Sequence, residues 1–520
     1  MGDALVLTFD IGTQSARCLL VRQDGSFADY CQEKYSEPYY SRNPGWAEQR
    51  PDFYYDRICL LGKQIMERNS ELSGDIIAVT LTVIRDTVLC LDENNEPLRD
   101  MILWLDRREA DFDHPFPLWK SLLFKIAGME SATKTLYRET VANWIRQKQP
   151  DIWRKTAKYV MLPTYLNYKL TGVLTDSQAN MIGHIPFDYK RRVWKKKSDL
   201  TRCITDVEEE KLISPVPSGE VLGTITRAFS EKTGIPAGLP LIATGSDKGC
   251  ETLGLSVIRE NRAAISFGTT ATIQMAVEKY FEPQQYLPAY PAVPNHLFNP
   301  EIELYRGFWL LSWFVKEFGA EERLEAEKQG CSPEKLLDHQ IERIPPGCDG
   351  LLLQPYWTPG IKNPTSKGVV LGFSDYHTHY HFYRAIIEGV IFELFHSLNI
   401  MEKRSHKRVE EIFVAGGGAK SDIVCQITAD IFGRPVKRIQ THEASSIGAA
   451  MVAFIAKGIF KDYDEAIASM VHEKDCFLPR EEVHHVYMGL YYGAYRKIFS
   501  HLEPLYKKII KFTKGDLKDE

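Results

Sequence analysis

Three observations predict an α/β fold in two domains. Stretches rich in β-branched and aromatic residues alternate with helical periodicities along most of the chain, the pattern of strands layered against helices. At 520 residues the chain exceeds one ordinary core and fits two domains of roughly 200 to 250 residues with a cleft between them. Finally, two Gly-Thr segments half a chain apart, LTFDIGTQSARCLLV at 7–21 and ISFGTTATIQMAV at 265–277, each read as two strands around a tight polar turn. Such a turn points backbone N–H groups at one spot and adds Thr or Ser hydroxyls, which makes a concave anion site. Two of them suggest one polyphosphate held from both sides.

The first half reads strand, turn, strand to about Val21, then a polar loop, EPYYSRNPGWAEQRPDFYYD, and a helix from about Pro51 to Asn69. Strands IIAVTLTV and TVLCLD follow, then the turn signal ENNEP, helical periodicity around Trp144 and Trp153, and the charge run KRRVWKKK at 190–197, expected as a solvated surface. The stretch GIPAGLPLIATGSDKGCETLGLS reads as a strand, a loop and a small-residue helix, and the domain boundary is placed at Ser256, dividing 1–256 from 257–520. In the second half a Pro- and aromatic-rich insertion (Tyr280 to Phe298) precedes a helix through Trp313 and a long helix from about Tyr380 to Lys403. EIFVAGGGAKSDIVCQITADIFG is then strand, turn and helix, followed by strand PVKRIQ, helix SSIGAAMVAFIAKG and a helical tail from Glu481. An internal duplication shows only at the two hairpins.

A formal charge of −5 and a pI near 6.3 leave no basic field for nucleic acid or an anionic membrane, so a small-molecule partner is expected. LVLTF near the start is one strand's worth of apolar residues, and no run of about 18 apolar residues occurs; the expectation is a soluble, cytoplasmic protein. The ten Cys are scattered without CxxC or Cys/His ligand spacing and read as reduced thiols. The HTHYH run at 377–381 lacks partner ligands and reads as the polar start of a helix.

Asp10, Gly12, Thr13, Ser15 and Arg17 form DIGTQSAR: an acid at a strand end beside donors and an Arg suits a metal-bound triphosphate, whereas the blander reading is an ordinary hairpin. VAGGGAKS, 414–421, puts three glycines between strand and helix, where a ring or phosphate can approach the backbone; tight helix packing would ask for the same residues. Asp247, in a Gly-flanked loop at a strand end, could take the proton of a substrate hydroxyl, or cap the helix that follows. Arg85 and Asp86 interrupt an apolar strand pair and suit a polyol's hydroxyls, or form a buried ion pair; Trp104 and Asp106 could line the same pocket.

In their order, DIGTQSAR, GWAEQRP, ILWLDRR, GSDKGCETLG, ISFGTTATI, GVVLGFSDYHTHYHFYRAIIEGV, VAGGGAKS and SSIGAAMVAFIAKG resemble the FGGY family of carbohydrate kinases across nearly the whole chain. The resemblance implies two actin-like, ribonuclease-H-type domains, with sugar bound mainly by the first and ATP with Mg²⁺ in the cleft. It implies Asp247 as catalytic base, also touching substrate, and Asp10 near the metal. Thr13 and Arg17 match the first phosphate hairpin, Gly268 and Thr269 the second, and Gly417, Gly418 and Ser421 the adenosine side, while Arg85, Asp86 and Trp104 match sugar contacts. A homodimer is compatible with it. The chain departs from the family pattern at Ile84-Arg85-Asp86, closer to the Arg-Glu of glycerol kinases, at Lys248, at Phe373, at Ala142-Asn143-Trp144, and at GIKNP (360–364). The alternatives are an actin-like ATPase switch, which needs no sugar pocket, and a non-catalytic sugar sensor, which needs no base.

Overall fold

The computed structural model describes residues 4–113, 115–358, 363 and 365–513. Apart from Asn363, the GIKNP segment lies outside the described residues, as does the end of the charged tail beyond Thr513.

Among the described residues, two six-stranded sheets form the centres of the two domains. In the first, β1 (Leu5–Ile11), β2 (Ser15–Val21) and β3 (Phe27–Lys34) form an antiparallel meander, helix α1 (Phe53–Arg68) follows, and β4 (Ile76–Val83) pairs parallel to β1. β5 (Val221–Thr224) and β6 (Pro240–Ile242) complete the order β5-β6-β4-β1-β2-β3, and helix α2 (Asp247–Gly254) leaves the sheet toward the second domain. There β7 (Arg262–Phe267), β8 (Ala271–Met275) and β9 (Glu301–Leu304) form the second meander. The long helix α3 (His379–Ser405) and β10 (Glu411–Ala415) come next, then α4 (Asp422–Phe432), β11 (Val436–Ile439), helix α5 (Ala444–Ala456) and β12 (Glu473–Phe477). Their order, β9-β8-β7-β10-β11-β12, repeats the first sheet strand for strand, with three antiparallel strands, two parallel neighbours and an antiparallel edge strand. The duplication is thus a property of the whole architecture, not of the hairpins alone.

All seven side chains of β1 are buried because both faces of its sheet are covered. Leu7 and Phe9 join the core under α1, with Ile58, Leu61 and Ile65. Val6 on the opposite face packs with Ile447, Ala450 and Met451 of α5, a helix from the second half of the chain. That is why SSIGAAMVAFIA is apolar nearly all round. Helices α2 and α5 cross where two glycines meet. A Cβ on Gly254 would fall 1.9 Å from the Ala444 carbonyl oxygen, and one on Gly448 2.0 Å from that of Cys250.

Three expectations need amendment. The stretch after Val21 is not simply loop: FADYCQEK is the edge strand β3, whose mostly polar, partly exposed pattern hides its periodicity. The run KRRVWKKK is only in part a solvated surface. Arg192 crosses to the carbonyls of Asn295 and Leu297, and Trp194 packs on Phe187. The HTHYH segment does open a helix, with Thr378 and His381 forming a reciprocal cap at the start of α3.

Candidate active site

The two hairpin turns face one cleft, and each is closed by a glycine N–H: Gly12 donates to the Ser15 carbonyl and Gly268 to that of Thr270, both at 3.0 Å. Those two donors are therefore spent on closing the turns. The carbonyls of Gly268 and Thr269 are fixed by Gly307, Phe308 and Trp309 N–H groups, so the second turn is rigidly mounted. On the first turn Trp104 donates from Nε1 to Thr13 Oγ1 at 2.9 Å. Trp104 thus ties the ILWLDRR segment to the first hairpin turn.

Strand pairing sets Arg17 directly opposite Asp10. Its Nη1 donates to Asp10 Oδ2 at 3.0 Å, and its Nε lies 3.2 Å from Glu443 Oε2 of the second half without hydrogen-bond alignment. Arg17 is a bridge across the cleft rather than a free phosphate ligand. Burial pushes the Asp10 carboxyl up to about 6, Arg17 pulls it down, and Glu443 and Glu251 push it further up. A buried acid crowded by other acids is favoured in its charged form by a cation beside it. Among the described residues no group of three or more His, Cys, Asp and Glu could hold one alone.

Asp247 is the first residue of α2. The expectation that a lone Asp there caps the helix is not met, because Ser246 Oγ takes the capping bond from Gly249 N–H at 3.2 Å. Asp247 is left free to face the cleft, its Oδ1 accepting from Lys248 N–H at 2.8 Å. Burial raises its carboxyl to about 6 against the pull of Lys248 and Arg85. The Lys248 ammonium, half-buried, bonds Glu251 Oε1 at 3.0 Å and Ser266 Oγ of β7 at 2.5 Å, tying the helix to the second hairpin.

Arg85 is not an open fork. Its two terminal nitrogens bind both oxygens of Glu301 on β9, at 2.8 and 3.2 Å, and its guanidinium carbon lies 5.6 Å from the Tyr290 ring centre. Glu301 also accepts from Gln274, which accepts from Thr252 of α2. Asp86, at φ 49°, accepts from the backbone N–H and Nδ1 of His184 at 3.1 and 2.7 Å, and the pair holds the His184 ring protonated up to about 10. Asp106 turns away into a buried pair with Arg108. Arg85→Ala would leave Glu301 buried without its cation, so the melting temperature should fall by the equivalent of about 1 to 3 kcal/mol. Unchanged melting would show the bridge to be idle.

The glycine turn divides its roles. Gly416, at φ 84°, and Gly418 are needed for packing, since a Cβ would strike the Phe267 backbone at 2.8 Å and the Phe308 ring at 2.4 Å. A Cβ on Gly417 would meet nothing nearer than 4.0 Å. Ser421 caps α4 through Val424 N–H at 3.3 Å, so its hydroxyl is already an acceptor. Sequence reasoning missed Glu301, Glu303, Gln274, His184 and Glu443; the alternation in EIEL was the one legible signal.

Two domains of this strand order, joined through crossing helices and facing each other with paired hairpins, define the actin-like ATPase class of folds. Within it the protein is a carbohydrate kinase. The family model for the N-terminal domain of the FGGY carbohydrate kinases matches residues 5–254 and that for the C-terminal domain residues 263–457. The chain belongs to the FGGY family. It is similar to the uncharacterised sugar kinase YgcE of Escherichia coli K12, at 27% identity over 99% of this chain and 98% of the relative, and to the xylulose kinase of Bacillus subtilis, at 25% over 98% and 99%. Among solved structures it is similar to a ligand-bound xylulose kinase of Lactobacillus acidophilus, with a TM-score of 0.82, 20% identity, and 97% and 100% of the two chains covered.

Proposed function

We propose that the protein transfers the γ-phosphoryl group of ATP to a hydroxyl of a small sugar or polyol, with Asp247 as general base. The observation that carries this reading is the uncapping of Asp247: a part-buried carboxyl lifted to about 6, free of the helix it begins, with Arg85 near enough to pull it down. The hydroxyl proton passes to the Asp247 carboxylate as the hydroxyl oxygen bonds to the γ-phosphorus, and the bond to the bridging oxygen breaks to leave ADP. Thr13, Thr269 and the turn N–H groups beyond the two glycines orient the phosphates, and the backbone at Gly417 and Gly418 takes the adenosine end. Mg²⁺ bound with ATP beside Asp10 would supply charge neutralisation. Arg85, Asp86 and Trp104 border the acceptor, and a divide at Ser256 separates the acceptor-binding half from the adenosine-binding half. The bridges Arg17–Glu443, Arg85–Glu301 and Lys248–Ser266 hold the halves together over the site, which excludes the water that would otherwise compete as acceptor.

ADP release measured over pentuloses, alditols, glycerol and aldonates tests the reading. Release should require an acceptor; equal release without one would mark an ATPase switch, and none at all a sensor. Thr269→Val removes one donor to a charged phosphate and should raise KM for ATP by about tenfold or more, with KM for the acceptor near wild type. Parallel rises in both constants would take Thr269 out of the phosphate site.

A further inference from the structure

Alternation along β9 sends Ile302 and Leu304 into the second domain's core and turns Glu301 and Glu303 to the cleft. Glu301 is committed to Arg85. Glu303 stands differently. Among the described residues it forms neither an ion pair nor a side-chain hydrogen bond. It lies in register with Thr272 and near enough to Arg85 and Lys248 for both to favour its ionised form, though burial and Glu301 outweigh them and lift it to about 7. Glu303 shares the face of β9 from which Glu301 reaches Arg85 of the first domain at 2.8 Å, so it stands beside the acceptor-side residues there. A part-buried carboxylate without its own cation costs stability. A ligand that brings O–H donors relieves that cost.

We propose that Glu303 is a specificity residue of the acceptor site, accepting hydrogen bonds from hydroxyls of a neutral polyol or ketose and repelling any acceptor with a carboxylate of its own. The two cations that favour its ionised form already hold other carboxylates, Arg85 that of Glu301 and Lys248 that of Glu251. A carboxylate-bearing acceptor placed against Glu303 would therefore add like charge at short range, which discriminates by repulsion rather than by lost contact. The inference rests on the kinase reading for the identity of the acceptor, but the contact itself is one of binding.

Calorimetric binding of ribitol, D-xylulose and D-gluconate to the full chain at about pH 8.5, where a carboxyl lifted to about 7 is ionised, wild type against Glu303→Gln and Glu303→Asp, tests it, with ATP turnover measured alongside. Wild type should bind the better neutral ligand at least about tenfold more tightly than gluconate. Glu303→Gln keeps the size and loses the charge, so neutral affinity should fall about fivefold or more while gluconate binding rises, shrinking the ratio by about tenfold. Glu303→Asp keeps the charge and should keep the preference for neutral ligands. A ratio unchanged in Glu303→Gln overturns the proposal, because a merely structural residue would move the melting temperature and scale all three ligands together. Wild-type preference for gluconate, or no saturable binding of any of the three, also overturns it. Saturable, Glu303-dependent binding without phosphoryl transfer would sink the kinase reading and leave Glu303 in place.

Discussion

Asp247→Asn should lower kcat by about 10² to 10⁴ while nucleotide binding stays near wild type, since the change keeps the side chain's size and removes only its capacity to accept a proton. The base works ionised, and its carboxyl sits at about 6. Wild-type kcat/KM should therefore fall about tenfold per pH unit below that point, and the residual activity of the variant should lack this limb. Stability should move the other way. A carboxyl raised from 3.8 to about 6 by burial contributes stability that is fully present below about pH 4 and lost as pH rises through 6. At pH 7 to 8 the Asn variant should therefore melt higher than wild type, with the difference vanishing near pH 4. Arg85 and Lys248 keep their other partners, Glu301 and Glu251, so the substitution strands no cation. Retention of more than about a tenth of wild-type kcat would remove Asp247 from the role of base. A lower melting temperature at neutral pH would show that its charge is structural.

The hairpins, β4, the long helix and the glycine turn were legible because each is a local pattern: period two, period 3.6, or a glycine where the chain must bend. β3 was not, because an edge strand with polar residues on both sides has no buried face to mark it. At the site, residue types were readable and partners were not. Arg85 and Asp86 were expected as substrate contacts or as a buried pair with one another. Instead, each is bound to a residue far along the chain: Arg85 to Glu301, which only the closure of the two sheets brings near, and Asp86 to His184, which the fold of the first domain itself supplies. The same holds for Asp247, whose local sequence fits a helix cap equally well. It is Ser246 taking the cap that frees the carboxylate. Glu443, which completes the bridge over Asp10, precedes a helix readable in sequence, but nothing local says that this helix packs on the first sheet.

That packing makes Gly448→Ala the most damaging small substitution expected outside the reacting groups. The added Cβ would lie 2.0 Å from the Cys250 carbonyl oxygen and 2.9 Å from Gly254 N, both backbone atoms of α2 that cannot swing aside as a side chain could. The helices must separate. α5 is held on the other side by Val6, Leu19 and Ile242 of the first sheet, so the displacement passes to α2. Overpacking of this kind costs about 3 kcal/mol or more, which for domains of this size lowers the melting temperature by roughly 10 °C. Because Asp247 begins α2 and Lys248 ties it to β7, kcat should fall together with stability, even in protein assayed well below its melting point. Gly417→Ala is the control: nothing lies nearer than 4.0 Å to the new methyl group, so melting should stay near wild type. Any loss there should appear in KM for ATP. If Gly448→Ala melts within a degree or two of wild type and keeps its kcat, the crossing is not the tight joint through which the two domains are aligned.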